Sequence, residues 1–141
     1  MQLIILGSGG YGHTVEDVAI QLGYDCIFLD DSLTDYPLSS YVNYVDSNTE
    51  FIPAFGNNSF RLEWVNKLEF LNAKLATLVH PTAYVSPRAS LAPGTVILPQ
   101  AVVNTGVTVE KGCIINLGAI IDHGCVIEEG EVIQARQWPV D

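Results

Sequence analysis

His123 is the side chain of this 141-residue chain that is best suited to acid–base chemistry. It lies in the run Ile121-Asp122-His123-Gly124-Cys125-Val126, at a position of a six-residue repeat that faces away from the repeat's interior. Imidazole accepts and releases protons near neutral pH, so an outward histidine on a rigid element predicts a general base. The alternative is a solvent-exposed histidine without a role.

The other two histidines carry weaker signals. His80 precedes Pro81, and we expect it to be structural. His13 follows a glycine-rich segment directly and is expected to contact ligand or solvent. A zinc site needs three ligands at suitable spacing. The three histidines are scattered without a local pair, so no metal is predicted.

The glycine-rich segment indicates a phosphate-binding loop. The run Gly7-Ser8-Gly9-Gly10-Tyr11-Gly12, called the glycine loop below, fits G-x-G-x-x-G between a predicted strand and a predicted helix. The helix N-terminus offers backbone N–H groups to an anion. Asp30, followed by Asp31, ends the second predicted strand, where a dinucleotide-binding fold keeps its ribose-binding acid.

Three interpretations of the glycine loop remain open. The first is NAD, although the α/β segment has room for only about half of a full doubly wound domain. The second is a smaller ligand such as a nucleoside diphosphate, with Asp30 and Asp31 accepting hydrogen bonds from its base or ribose. The third is a strand-to-helix turn that favours glycine for conformational reasons alone.

A six-residue repeat from Val79 onward must position His123. Aliphatic residues recur at every sixth place, and a small or medium residue follows each of the first eight by four places. Hexads are the mark of a parallel β-helix, in which three hexads complete one triangular coil. The aliphatic set is Val79, Val85, Leu91, Ile97, Val103, Val109, Ile115, Ile121, Ile127 and Ile133, and the small set is Ala83, Ala89, Thr95, Ala101, Val107, Cys113, Ala119 and Cys125.

The first 78 residues alternate strand and helix, which predicts a small parallel α/β sheet. Predicted strands cover residues 2–6, 26–29, 51–55 and 75–79, with a short one near 41–45. Pro53 suggests an edge or irregular position for its strand. Phe60, Trp64, Leu68 and Leu71 mark the predicted buried face of the second helix. We therefore expect an α/β domain over 1–78 and an all-β domain over 79–141.

The composition excludes several classes of function. A net charge of −10 argues against nucleic-acid binding. No stretch of the chain is long and apolar enough for a membrane span. Cys113 and Cys125 occupy small-residue positions of the hexads, where cysteine acts as a compact hydrophobe. A reduced, cytoplasmic protein is the expectation.

The hexad pattern breaks after Ile133. Glu131 falls where a ninth small residue is expected, stacked over Cys113, and a buried unpaired carboxylate costs several kcal/mol. Residues 134–141 show no hexad pattern. We expect about three coils followed by a shortened repeat.

Taken together, these motifs resemble one protein family. The chain is similar to the bacterial nucleotide-sugar acetyltransferases that join a Rossmann-like domain to a left-handed β-helix, such as the sialic acid O-acetyltransferases and the UDP-4-amino-sugar N-acetyltransferases. The resemblance runs through IILGSGGYG (4–12), EDVA (16–19), GYDCIFLDD (23–31), FGNN (55–58), HP (80–81) and NLGAIIDHGCVI (116–127).

The resemblance implies a role for each matching residue. His123 is the base that deprotonates a sugar amine or hydroxyl as it attacks acetyl-CoA, and Asn116 shapes the acceptor site. The glycine loop cradles the diphosphate, Asp30 and Asp31 bind uridine, and Asn57 contacts the substrate. The active site of such enzymes lies between subunits of a homotrimer.

The chain departs from the family at three points. Gly124 stands where the family often has an acid after the catalytic histidine, so Asp122 is the candidate supporting acid. Tyr11 stands where the family tends to have histidine. Family members continue for several further coils that carry much of the acetyl-CoA site, which implies a C-terminal truncation and little turnover by this chain.

Two other functions stay open on the sequence alone. The chain could be a non-enzymatic protein that binds nucleotide sugar or forms trimers, which acetyl-CoA turnover distinguishes. It could also be an NAD-binding redox domain, which titration with NADH against UDP distinguishes.

Overall fold

The structure is a computed structural model that describes residues 1–139. The chain divides into two compact units, the first spanning Met1–Ala76 and the second beginning at Thr77. Neither of the two α-helices found in residues 1–139 is long and apolar enough to cross a membrane.

The first unit is a parallel four-stranded sheet with helices in its connections. In chain order its elements are β1 (Gln2–Leu6), α1 (Gly10–Gln21), β2 (Asp25–Leu29), a 3₁₀ helix (Leu38–Tyr44), β3 (Thr49–Pro53), α2 (Asn58–Phe70) and β4 (Lys74–Leu75). The strand order is β2-β1-β3-β4. Leu6 is in register with Leu29 and with Pro53, so three strands end at the same edge of the sheet. The loops that follow them are therefore brought together.

The core of this unit includes β1 and the buried face of α1. Leu3, Ile4, Ile5 and Leu6 are fully buried, so β1 packs on both faces as an inner parallel strand does. In α1 the helical spacing of Val15, Val18 and Ala19 gives one buried face. Gly23, at φ +87°, ends the turn after α1 as the sequence predicts.

Four details of the structure differ from the sequence predictions for this part of the chain. The strand expected near 41–45 is the 3₁₀ helix, because the Asp31 carboxylate accepts the Leu38 N–H and Ser40 Oγ donates to the Pro37 carbonyl. The strand containing Pro53 is an inner one. It tolerates proline because β4 pairs only with Glu50 and Phe51, so Pro53 at its end needs no hydrogen bond on that side.

The strand expected over 75–79 is two separate strands, one in each unit. β4 pairs with β3, whereas the next strand, β5 (Leu78–Val79), pairs with residues 96–97 of the second unit. The backbone N–H of Ala76 still donates to the Phe51 carbonyl, and that of Leu78 already donates to the Thr95 carbonyl. The chain thus changes partners within two residues.

The buried face of α2 is rotated from its predicted position. Trp64 and Leu68 are buried as expected, but Phe60 and Leu71 are each 39% exposed. Arg61 and Val65 complete the buried face instead, and Arg61 is only 1% exposed. A pattern based on apolar residues alone assigned no interior place to an arginine.

The second unit is a left-handed parallel β-helix, with ten two-residue strands between residues 77 and 139. Its sheets have the orders β14-β11-β8-β5, β13-β10-β7 and β12-β9-β6, so about three coils are stacked as predicted. Each paired residue lies eighteen positions from its partner, as Val85 does from Val103. After β5 the strands are β6 (Tyr84–Val85), β7 (Ser90–Leu91), β8 (Val96–Ile97), β9 (Val102–Val103), β10 (Thr108–Val109), β11 (Ile114–Ile115), β12 (Ile120–Ile121), β13 (Val126–Ile127) and β14 (Val132–Ile133).

The interior of the β-helix is made of the predicted hexad residues. Seven of the ten predicted aliphatic residues form one buried core cluster together with Cys113 and Cys125. The other three, Val79, Val85 and Leu91, are partly buried and pack against this cluster. Thr95 is also buried, and its hydroxyl donates to the Glu110 carbonyl at 3.2 Å. Burial of an aliphatic side chain contributes about 1.5–3 kcal/mol, so the hexads provide the main stabilisation of this unit.

After β14 the described residues leave the hexad spacing, but Gln137 is still paired with the coil. Gln137 forms a bridge with Ile121 at a separation of sixteen residues rather than eighteen. Glu131 is partly exposed, and its backbone carbonyl accepts the Ile114 N–H at 2.9 Å. The sequence placed the Glu131 carboxylate inside the prism, stacked over Cys113. In the structure Glu131 is not fully buried.

Candidate functional site

The glycine loop lies where β1, β2 and β3 end in the first unit. The Gly7 N–H donates to the Leu29 carbonyl at 2.8 Å, and the Ala54 N–H donates to the Leu6 carbonyl at 2.7 Å. These bonds extend the sheet beyond its last paired residues and hold the three loops side by side. A ligand at this edge would meet all three, as in other open parallel sheets.

Two glycines of the loop are required by the fold. Gly7 has φ +108°, and a Cβ there would lie 2.9 Å from the Ala54 carbonyl oxygen. A Cβ on Gly12 would lie 2.1 Å from the Gly7 carbonyl oxygen, so any side chain would push α1 off the end of β1. These positions explain part of the motif without a ligand.

Two other glycines are not required by packing. A Cβ built on Gly9 or Gly10 meets nothing within 4 Å. Gly9 is the N-cap of α1 and contributes no side-chain cap, and α1 begins at Gly10. Both residues are exposed, so this helix N-terminus has an open approach for an anion.

Asp30 binds the glycine loop itself. Its Oδ2 accepts the Ser8 N–H at 2.7 Å, and its Oδ1 accepts the Ser32 N–H at 2.9 Å. These backbone hydrogen bonds, that of Ser32 first, lower the pKa of Asp30 to about 2. The Ser8 amide is thus already occupied, and the carboxylate has a positioning role that the sequence analysis did not foresee.

Asp31 and Asn57 also have partners within the fold. The exposed Asp31 carboxylate accepts the Leu38 N–H at 3.0 Å through Oδ1. Asn57 is the N-cap of α2, and its Oδ1 accepts the Phe60 N–H at 2.8 Å. Both residues follow β2 or β3, at the same edge of the sheet as the glycine loop.

The glycine loop contains a buried tyrosine hydroxyl, and α2 contributes a buried arginine. Within residues 1–139, the hydroxyl of Tyr11 is buried and has no hydrogen-bond partner. Burial raises the pKa of the Tyr11 hydroxyl, which the positive charge of Arg61 opposes. Arg61 donates to the Phe55 carbonyl and to Asn58 Oδ1, both at 3.0 Å, and so holds the loop after β3. The sequence analysis assigned Arg61 no role. Its spacing of three residues from Trp64 could have indicated that both side chains lie on the same face of α2.

His123 lies in the second unit, in the turn that follows β12. Its side chain is 66% exposed, as its outward hexad position predicts. Its Nδ1 lies 3.3 Å from Asp122 Oδ1, and its backbone N–H donates to the same oxygen at 3.0 Å. Gly124 follows at φ +70°, a left-handed conformation that favours glycine over an acid at this place.

Asp122 has a second charged partner. Its Oδ2 accepts a hydrogen bond from Arg136 Nη2 at 2.8 Å, and its Oδ1 also lies 3.5 Å from Asn104 Nδ2. The guanidinium of Arg136, with the His123 N–H next, holds the pKa of the Asp122 carboxyl well below its usual range. Arg136 in turn stacks on Trp138, 3.9 Å from the ring centroid. The sequence analysis missed Arg136 because it lies beyond the hexads.

A cavity of about 300 Å³ opens directly beside the histidine turn. Residues 124–127 form one side of it, and Gln137 and Trp138 form the other. Asn116 lies one corner earlier in the coil, where its side chain bonds the Leu117 N–H and the amide of Gln134. The structure thus brings Asp122, His123 and Arg136 together and leaves Asn116 at a separate corner.

The remaining histidines have local partners. His80 Nδ1 accepts the Thr82 N–H at 3.0 Å, which agrees with the structural role expected for it. The His13 ring packs against Phe28 with centroids 5.1 Å apart. Residues 1–139 contain no group of three His, Cys, Asp or Glu side chains placed to hold a metal ion.

Comparisons with known proteins identify the family and the fold of the chain. The family model of the PglD N-terminal domain matches residues 2–68. The acetyltransferase domain of PglB from Neisseria gonorrhoeae FA1090 matches with a TM-score of 0.83 and 32% identity, over 93% of this chain and 68% of that one. The same domain in complex with acetyl coenzyme A gives a TM-score of 0.85 and 33% identity, over 93% and 69%.

A more distant match shares the fold. PerB from Caulobacter crescentus, solved in complex with CoA and GDP-perosamine, has a TM-score of 0.82 and 22% identity, over 94% of this chain and 68% of that one. The identity with the PglB domain extends over more than two thirds of that domain, and the predicted hexads form the coils observed here. The chain therefore belongs to the hexapeptide-repeat family of nucleotide-sugar acetyltransferases.

Proposed function

We propose that this chain transfers the acetyl group of acetyl-CoA to an amine or hydroxyl of a UDP-linked sugar, with His123 as the general base. One observation carries the proposal: the exposed imidazole of His123 has its Nδ1 against the Asp122 carboxylate. A base oriented by an acid is the usual arrangement for activating a nucleophile. The PglB domain, which binds acetyl coenzyme A, supports the choice of acyl donor.

The chemistry follows from the two nitrogens of the imidazole. Asp122 accepts a hydrogen bond from the Nδ1–H group, so the proton stays on Nδ1 and the lone pair of Nε2 is free. Nε2 removes the proton of the acceptor amine or hydroxyl while that nitrogen or oxygen bonds to the thioester carbonyl carbon. The carbon–sulfur bond then breaks, CoA leaves as the thiol, and the proton on Nε2 passes to the sulfur. In this proposal the cavity lined by Gly124, the residue after the base, would hold the acceptor.

The glycine loop supplies the proposed nucleotide site. The open amides at Gly9 and Gly10 would hold the diphosphate at the N-terminus of α1, and Tyr11, the next residue, remains a proposed substrate contact. Asp31 is exposed and is the better placed of the two acids to accept hydrogen bonds from uridine. Asp30 would act mainly by fixing the loop through Ser8, and Asn57 and Asn116 remain proposed substrate contacts.

We also propose a homotrimer assembled through the β-helix. Tyr84, Val102 and Ile120 are paired outward neighbours on one face, and Tyr84 and Ile120 are 56% and 36% exposed. An apolar outer stripe of this kind favours association. The reduced cysteines buried at Cys113 and Cys125 suit the cytoplasm, which is the proposed location.

An end-point transfer assay tests the proposal. The chain, in stoichiometric amount, is mixed with acetyl-CoA and a UDP-linked 4-amino sugar or its hydroxyl analogue, and the product is detected by mass spectrometry. We expect an acetylated sugar with the native chain, none above background with His123→Ala, and full product with His80→Ala as the matched control. Product formation equal in His123→Ala and the native chain would disprove the assigned base.

Binding measurements distinguish the alternative functions. Calorimetry with UDP and with NADH compares the two classes of nucleotide on the same glycine loop. Binding of UDP with no acetyl transfer indicates a nucleotide-sugar-binding protein, and binding of NADH in preference to UDP indicates a redox domain. The proposal expects UDP to bind more tightly than NADH.

A further inference from the structure

Arg136 reaches the histidine turn from a segment that the backbone holds in place. The N–H of Gln137 donates to the Ile120 carbonyl at 2.8 Å, and the N–H of Asp122 donates to the Gln137 carbonyl at 3.0 Å. The residue before Gln137 is therefore set beside Asp122 by two backbone hydrogen bonds. The guanidinium carbon of Arg136 also lies 3.9 Å from the centroid of the Trp138 ring, a cation–π contact that favours this position of the side chain.

The two oxygens of Asp122 are divided between Arg136 and His123. Oδ2 bonds Arg136 Nη2, whereas Oδ1 faces the His123 backbone N–H and ring Nδ1. A carboxylate held at both oxygens cannot rotate to offer Oδ1 elsewhere. The side chain of Asp122 is mostly buried, and that of Arg136 is half exposed.

We propose that Arg136 is a positioning residue, which holds the Asp122 carboxylate so that His123 carries its proton on Nδ1 and presents Nε2 to the acceptor. This inference rests on the proposed function for its catalytic meaning, because only a general base needs one particular tautomer. Without such a partner, imidazole in water prefers the tautomer with the proton on Nε2. That tautomer cannot act as a base through Nε2.

If the Arg136–Asp122 pair had only a structural role, its loss should have little effect on stability and none on the tautomer of His123. Ion pairs near the surface contribute about 0–1 kcal/mol to stability, so Arg136 should matter little for folding. An effect of Arg136 on the histidine tautomer, in a variant that folds normally, therefore separates the positioning role from a structural one.

The test is the tautomer of His123, read from ring ¹⁵N shifts by NMR at about pH 8.5, above the range in which imidazole titrates. The variants are Arg136→Gln, Arg136→Lys and Asp122→Ala, and His123→Gln assigns the signal. His13 and His80 serve as internal controls. We expect mainly the Nδ1–H form in the native chain, a shift toward the Asp122→Ala pattern in Arg136→Gln, and partial recovery in Arg136→Lys. A His123 signal unchanged in folded Arg136→Gln overturns the inference.

Kinetics provide the second arm. Where the native chain transfers acetyl groups, Arg136→Gln should lower kcat about tenfold with little change in the KM for either substrate. An unchanged kcat in this variant overturns the inference. If the native chain shows no transfer at all, the proposed function fails, and the NMR arm still decides whether Arg136 sets the tautomer.

Discussion

The ring Nδ1 of His123 lies 3.3 Å from Oδ1 of Asp122, the residue directly before it in the chain. Because Gly124 follows the histidine, the sequence analysis named Asp122, which precedes it, as the candidate supporting acid. The structure has this carboxylate beside the imidazole, at a residue whose backbone lies in the coil itself. An acid fixed in this way needs no loop to bring it to the base.

The first prediction concerns this pair. His123→Ala should lower kcat about 10²–10⁴-fold, the range for loss of a general base. Asp122→Ala should lower kcat by a smaller factor, about 10–100-fold, because the base stays but loses its orientation. The affinity for acetyl-CoA should change little in either variant. Steady-state kinetics with calorimetry check this, and a kcat for Asp122→Ala equal to the native value would contradict it.

The second prediction concerns Asp30 and pH. Its pKa is about 2 in the folded chain, below the usual value near 4, so its charged form stabilises the fold above pH 4. This contribution should be lost as the pH falls from about 4 to 2. Asp30→Asn should lower the free energy of unfolding at pH 7 by about 1 kcal/mol, a figure reduced because Asp30 is partly exposed.

Denaturant titrations of both chains at several pH values make the measurement. The difference in the free energy of unfolding between the native chain and Asp30→Asn should become smaller as the pH falls below 4. Asp31→Asn, with its single bond to Leu38, is the control and should show a smaller difference at pH 7. A difference that grows toward pH 2 would be the opposite of the expected sign.

The third prediction separates the two kinds of glycine in the loop. Gly12→Ala should destabilise the chain by about 3 kcal/mol or more, since the new Cβ would meet the Gly7 carbonyl oxygen at 2.1 Å. Gly10→Ala should leave stability equal or slightly higher, because the space is open and alanine favours a helix. Its affinity for UDP should fall about tenfold if the diphosphate approaches this backbone. Thermal unfolding and calorimetry report the two effects, and unchanged UDP binding by Gly10→Ala would move the nucleotide elsewhere.

The fourth prediction concerns assembly. Ile120→Arg puts a charge into the apolar stripe of Tyr84, Val102 and Ile120, and should convert the proposed trimer into monomers. Thr108→Arg, an outward and exposed position on another face, is the matched control and should leave the trimer intact. Sedimentation velocity measures both. A native chain that sediments as a monomer at tens of micromolar would refute the trimer itself.

The repeat could be predicted from the sequence because each coil contacts only the coils next to it. Each coil needs aliphatic side chains at the same interior positions. The six-residue spacing alone therefore predicts that Ile97, Val103 and Val109 are buried. The glycine loop was predictable for a similar reason, since a tight turn and a close helix approach leave few alternatives to glycine at Gly7 and Gly12.

The contacts that were missed depend on pairing over a distance. Arg136 contacts Asp122 only because Gln137 bridges Ile121, and no local pattern encodes a separation of sixteen residues. Arg61 was missed because its guanidinium is buried by satisfying the Phe55 carbonyl and Asn58, which hydrophobic spacing does not register. Leu38–Tyr44 was misread because side-chain hydrogen bonds outweighed strand propensity there.

The eighteen-residue stacking of Val85 on Val103 makes the second unit sensitive to the arithmetic of insertions and deletions. Removing residues 86–103 would join Val85 to Asn104, and every later interior residue would keep its place in the prism. Removing a single residue from the same stretch would instead turn the following hexads out of phase and carry apolar groups to the surface. In this part of the gene, changes of eighteen codons are therefore milder than changes of one.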